Sequence, residues 1–250
     1  MKIIILLVIF ITSLVSSDYN IKAKYEITYG ILGSIGDATA DLRVEKGTYK
    51  IKLQAKARGF VKILSKSRVE THESTGIVKD GRFLPTIFIS SKKRGSKTDI
   101  KRYLFDHDKK FVKLLQTTIR GDKKVDTKSI LPYFAKDDIL TLFFNLKYFI
   151  GEDYKPKNGQ KLFAVGANKK NGEVLLYKAD SKMYKNLLKE FKKSEHPLVV
   201  ILNQRIFASQ KGEMIIDLNS DGICTSALLK DVVMFGDIRG ELVSLKQEKN

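Results

Sequence analysis

Tryptophan is absent from this 250-residue chain, and cysteine occurs once, histidine three times and proline four times. With Cys224 alone, no intramolecular disulfide can form, so an apolar core has to hold the fold together. His72, His107 and His196 lie far apart and none sits at a paired metal spacing, so neither a zinc cluster nor a histidine-based catalytic site is expected. The missing tryptophan, and aromatic residues that do not interleave with the basic ones, argue against a stacking platform for nucleic acid. Acidic residues are also short, 28 against 46 Lys+Arg, for a formal net charge of +18. A chain this basic is drawn to anionic surfaces such as lipid headgroups, lipopolysaccharide or acidic polymers.

Long apolar runs are missing as well, except at the start. Met1-Lys2 leads into an almost unbroken apolar stretch over residues 3–15, and Ser16-Ser17-Asp18 turns polar at once. That layout predicts a cleavable signal peptide over residues 1–17, cut after Ser17. The run is short for an anchor helix, which needs about 17–25 apolar residues, and no cysteine follows the cut to take a lipid. The longest later candidate, residues 139–150, is interrupted by Thr141, Asn145 and Lys147. The expectation is an exported, soluble chain in which residues 18–250 form a single β-rich domain.

What fills those residues is mostly period-two alternation. Ile21, Ala23, Tyr25, Ile27 and Tyr29 alternate with Lys22, Lys24, Glu26 and Thr28, the pattern of a half-buried strand. The same pattern returns in Ala38-Ala40-Leu42-Val44 and Tyr49-Ile51-Leu53-Ala55-Ala57 across a turn at Lys46-Gly47, so the first three strands read as a meander. Turn dipeptides recur at hairpin spacing: Asp80-Gly81, His107-Asp108, Asn171-Gly172, Lys211-Gly212 and Asp221-Gly222. Pro85 lacks a donor for a ladder, which predicts an irregular strand there, at an edge, a bulge or a strand start.

Two segments break the β pattern. Residues 136–150 predict a helix with Asp137 or Asp138 as N-cap, Gly151 as the stop, and apolar residues on nearly every side, so it should plug the concave face of the sheet. A second helix is predicted from Asp180 or Ser181 to just before Pro197, with Met183, Tyr184, Leu187, Leu188 and Phe191 opposite a face of lysines; its stripe either packs on the sheet or lies in a membrane surface.

An early Tyr25-x-x-x-Tyr29-Gly30 strand followed by Gly33 and Gly36, the Leu84-Pro85 strand, and the run from Asp138 through Leu146 together resemble the domain-of-unknown-function 3108 family of bacterial exported proteins. The family's mid-chain helix carries an Arg where this chain has Asn145 and Lys147. The resemblance implies a periplasmic location and a mainly β fold, a curved antiparallel sheet or half-open barrel like that of lipoprotein carriers, with two helices, one of them packed on the concave face. It implies no activity and no catalytic residues.

Other constellations thin out on inspection. Asp217-Leu218-Asn219-Ser220-Asp221-Gly222 matches the first half of a calcium loop, but position twelve is Leu228 and supplies no carboxylate, so a β-turn is expected and no metal. The glycine-rich residues 29–36 run from strand to strand with no helix to hold a phosphate, and no other cofactor loop is present. The densest basic run places Lys92, Lys93, Arg94, Lys97, Lys101 and Arg102 around a hairpin tip, either as an anion-binding surface or as a solvated loop that protects a strand edge. Two functions stay open. The first is a non-enzymatic envelope protein shielding a lipid or acyl chain against Leu142, Phe143, Leu146 and Phe149. The alternative is a basic module docking on an anionic envelope component or a protein complex.

Overall fold

The computed structural model describes residues 18–64, 66–168, 170–178, 194–202, 213–229 and 237–249. The signal segment, the helix predicted from residue 180 up to residue 193, the Lys211-Gly212 turn and the apolar runs at 206–208 and 232–235 lie outside the described residues; the last predicted helical positions, Ser194 to His196, are described and not helical, and His196 opens a strand.

Alternation produces long strands first: β1 (Tyr19–Tyr29), β2 (Ser34–Glu45), β3 (Thr48–Ala57), β4 (Val69–Lys79), β5 (Arg82–Arg94), β6 (Lys97–Asp106), β7 (Phe111–Arg120) and β8 (Lys123–Ile130). A two-residue β9 (Asp137–Asp138) precedes α2 (Ile139–Phe144) and α3 (Leu146–Ile150), and α1 (Gly59–Leu64) joins β3 to β4. Shorter strands follow: β10 (Gln160–Val165), β11 (Glu173–Lys178), β12 (His196–Ile201), β13 (Glu213–Leu218), β14 (Cys224–Leu229) and a long β15 (Ile238–Lys249). The protein is mainly β: among the described residues these fifteen strands form one open, curved sheet, ordered β8-β7-β6-β5-β4-β3-β2-β1-β15-β14-β13-β12-β11-β10-β9. Every described neighbour is antiparallel except β9 against β10. The order is a simple meander whose first and last strands pair in the middle, Tyr19 opposite Lys249 and Tyr29 opposite Ile238.

The open ends of the sheet are handled differently. Every residue of β8 is exposed, and its three lysines discourage pairing with another chain. Short β9 is covered, with Asp137 and Asp138 both buried.

Pro85 sits at a bulge, where the β4–β5 register slips between Thr75 and Gly76. Pairing of β5 with β6 has ended two residues later along the strand, at Ile87, so the missing proline N–H breaks no ladder on that side. Gly76 is required opposite it, because a Cβ there would overlap the Leu84 carbonyl oxygen.

The predicted mid-chain helix is two helices. It begins at Ile139, behind an Asp138 N-cap whose partner Thr141 completes a capping box, and breaks at Asn145. The break follows from Asn145 itself, a poor helix former whose side chain is recruited by β5. Gly151 at φ 81° ends α3 as expected. Six-residue α1 carries too few turns to register as periodicity, and nothing in the sequence reading anticipated it.

Two core clusters meet at this helix pair. Leu142, Leu146 and Ile150 pack with Leu176, Leu198 and Leu218 from β11–β13, while Leu140 packs with Val44, Ile51, Phe88 and Val112 from the long-stranded half. The helix pair thus fills part of the concave face, between the two halves of the curved sheet.

Candidate functional site

Side chains directly opposite one another on antiparallel strands share a face, so the register defines an inner row through Ala23, Ala40 and Leu53, and another through Ile21, Leu42 and Ile51. Small residues are concentrated here: Ala23 faces Ala40, and Tyr25 faces Ala38. Three alanines leave space that larger apolar side chains would fill, and α2 does not descend into it.

The result is a partly enclosed cavity of about 430 Å³, walled by β1–β3 on one side, by Val174, Val200 and Ile216 from β11–β13 on the other, and by α2 and Leu146. Its size falls within the ~300–1,000 Å³ of ordinary ligand pockets. Every side chain on the wall is apolar except for the Tyr25 hydroxyl and the Cys224 thiol. Burial, reinforced by their mutual proximity in the case of Tyr25, raises the pKa of both; the Cys224 thiol is pushed up to about 12. Both groups are therefore neutral at ordinary pH. Several wall residues, among them Ile21, Tyr25, Ile27 and Phe143, are only half-buried although they point inward.

Leu142, Phe143 and Leu146 line this cavity together with Ile139, Leu140 and Phe144. Phe149 does not. The break at Asn145 turns it toward Arg82, whose guanidinium lies 4.8 Å from the Phe149 ring centroid and 5.7 Å from that of Tyr148.

The helix pair is anchored by a buried polar network. Asp138 Oδ1 accepts from the N–H groups of Leu140 and Thr141, and its Oδ2 accepts from Ser74 Oγ at 2.5 Å. Ser74 Oγ in turn meets the Tyr49 hydroxyl at 3.0 Å. Asp138 is 0 % exposed, and burial pushes its carboxyl up to about 7 even though these hydrogen bonds favour the charged form. Neighbouring Asp137 is raised in the same way by burial, opposed by a 2.6 Å hydrogen bond from Asn145 Nδ2 and by Arg82 at 3.6 Å. The sequence offered Asp137 or Asp138 as the cap, and the structure selects Asp138; the network roles of Tyr49, Ser74, Arg82 and Asn145 were not anticipated. An asparagine inside an otherwise apolar helix was the one local signal of this network.

The basic run does not form one surface. The β5–β6 register puts Lys92, Arg94, Lys97 and Lys101 on the inner face and Lys93 and Arg102 on the outer. Lys92 pairs with Glu70 at 2.8 Å and Lys97 with Asp99 at 2.8 Å. The calcium-like segment is likewise structural: Asp217 Oδ1 accepts from Ser194 and from the N–H groups of Glu195 and His196, and Asn219 closes the turn by accepting from the N–H groups of Asp221 and Ile223. No cluster of His, Cys, Asp or Glu suited to a metal ion occurs among the described residues.

The family described as "Protein of unknown function (DUF3108)" matches residues 24–165. The chain belongs to the DUF3108 family. No curated protein matches it. The DUF3108 segment spans β1 through β10, so it contains one wall of the cavity, α2, α3 and the whole Asp138–Ser74–Tyr49 network. The opposite wall, from β11 to β14, lies beyond the DUF3108 match. Among the described residues no helix is long and apolar enough to cross a membrane.

Proposed function

We propose that this protein is a non-enzymatic envelope protein that binds and shields an apolar ligand, a lipid or acyl chain, in the cavity beside α2. The single observation behind this reading is the cavity wall, which is apolar throughout and offers only Tyr25 and Cys224 as polar partners. Water fills such a space poorly, because a buried water needs two to four polar partners. Natural cores close voids of this kind with larger side chains. Alanines facing one another across β1 and β2 instead support a space kept for something else.

Export through residues 1–17 and a periplasmic location belong to the same reading. They are tested by N-terminal sequencing of the protein recovered from a cell-envelope extract: a start at Asp18 supports them, and an intact Met1 counts against them.

The ligand is tested by native mass spectrometry and solvent extraction of protein purified without detergent. A bound lipid at fixed stoichiometry is expected. A clean apo mass, together with failure to bind an apolar fluorescent probe, would overturn the reading.

A further inference from the structure

The inner face changes character at one strand boundary. Following one row of paired residues outward from the cavity, Ala23, Ala40 and Leu53 are apolar, and the next members are His72 on β4, Ser90 on β5, Lys101 on β6 and Gln116 on β7. Leu53 is a cavity-wall residue and His72 stands directly opposite it, one strand spacing of about 4.8 Å away. All four polar residues are half-buried.

His72 is the informative member. Its ring lies nearly parallel to that of Phe88, with centroids 6.1 Å apart and planes 9° apart, so its orientation is fixed by packing below. Its Nδ1 is buried and has no hydrogen-bond partner in the protein. The flanking inner row adds Glu70 on β4, Lys92 on β5 and Asp99 on β6, with Arg94 and Lys97 at the hairpin tip. Four inner-face cations, Lys92, Arg94, Lys97 and Lys101, stand against the two carboxylates, so the patch carries net positive charge at the apolar cavity's edge.

We infer that the ligand is an amphiphile: its acyl chain occupies the cavity and its anionic head, a carboxylate or phosphate, rests on the row His72, Ser90 and Lys101. This inference rests on the apolar-cavity reading and adds the head-group class to it. An apolar tail beyond Leu53 and an anion one to three strands away match the two chemistries that the register places side by side. A hydroxyl from Ser90, an imidazole N–H and an ammonium are the donors an anionic head requires.

The test measures binding of palmitate, hexadecyl phosphate and uncharged hexadecanol at pH 8 to the wild-type chain and to the His72→Leu and Lys101→Gln variants, with inorganic phosphate as a tail-free control. Wild type is expected to bind at least one of the two anionic amphiphiles about tenfold or more tighter than hexadecanol, the size of one hydrogen bond to a charged group. Which of the two is preferred separates a carboxylate from a phosphate head. Both substitutions should remove that preference while hexadecanol still binds, which also shows that the variants fold. Equal affinity for all three amphiphiles, or a preference that survives both substitutions, overturns the head-group site and leaves the cavity reading standing. Binding of inorganic phosphate as tight as hexadecyl phosphate overturns the amphiphile. Failure of all three amphiphiles to bind overturns the cavity reading and the head-group site together.

Discussion

The side chain of Asn145 stands in for a β-strand beside Phe83. The Phe83 N–H donates to Asn145 Oδ1 at 3.0 Å, and Asn145 Nδ2 donates to the Phe83 carbonyl at 2.9 Å. These backbone groups point outward from the β4–β5 hairpin at the level where β6 has stopped pairing with β5, so no strand satisfies them. The same Nδ2 donates to Asp137 Oδ1 at 2.6 Å, which ties the start of the helix pair, its midpoint and the sheet into one unit.

Replacing Asn145 with leucine keeps the branched shape, at a somewhat larger volume, and removes all three hydrogen bonds. Two buried backbone groups and a buried carboxylate lose partners, so unfolding free energy should fall by about 2–4 kcal/mol. A urea midpoint unchanged from wild type would show that water takes over the role of the amide.

Asp138 makes stability depend on pH. Its folded pKa is raised to about 7 by burial, while in the unfolded chain it titrates near the ordinary carboxylate value of about 3.9. Between those values the folded state holds the extra proton, so this group's contribution is fully present below about pH 4 and is lost as pH rises through about 7. Asp137, raised in the same direction, adds to the trend. Chemical denaturation at several pH values should show wild type losing stability from pH 5 to pH 8 relative to Asp138→Asn, which retains a neutral cap; parallel curves would contradict this.

The bulge opposite Pro85 admits only glycine at position 76. Gly76→Ala forces a Cβ into the Leu84 carbonyl, a backbone atom that cannot rotate away, and should destabilise the protein by several kcal/mol, as large as the core-disruption class of substitutions. Thermal unfolding reads this directly. A transition within a degree or two of wild type would mean that the β4–β5 register can slip.

Ala40→Leu tests the cavity by filling it. Added methyl groups would enter space bounded by Ala23, Leu53 and Phe143 and displace no side chain, so the apo protein should gain about 1 kcal/mol of stability. The same change should weaken binding of an apolar probe severalfold. Loss of stability would indicate that the space is closed by packing.

Much of this was legible along the chain because the rules involved are local. Alternation at Ile21-Ala23-Tyr25-Ile27 requires only that every second side chain share a face, and Asp138 caps a helix through N–H groups two and three residues ahead. Gly151 stops the helix through its own backbone. Leu142 and Phe143 on α2 and Leu146 at the start of α3 reach the cavity because they lie within one turn of the break, on an apolar stretch visible in the sequence.

The rest depended on partners distant in sequence. Asn145 interrupts the helix because Phe83, 62 residues earlier, offers it two backbone groups, and that interruption sends Phe149 to Arg82 and away from the cavity. Pairing along β5 and β6 divides six consecutive-looking cations between two faces. The apolar side chains themselves are written in the sequence, as are the strands that carry them. Their arrangement around an open space is set by the curl of the sheet and by the registers that bring β1–β3 opposite β11–β14, because the volume left between two walls depends on where both walls stand.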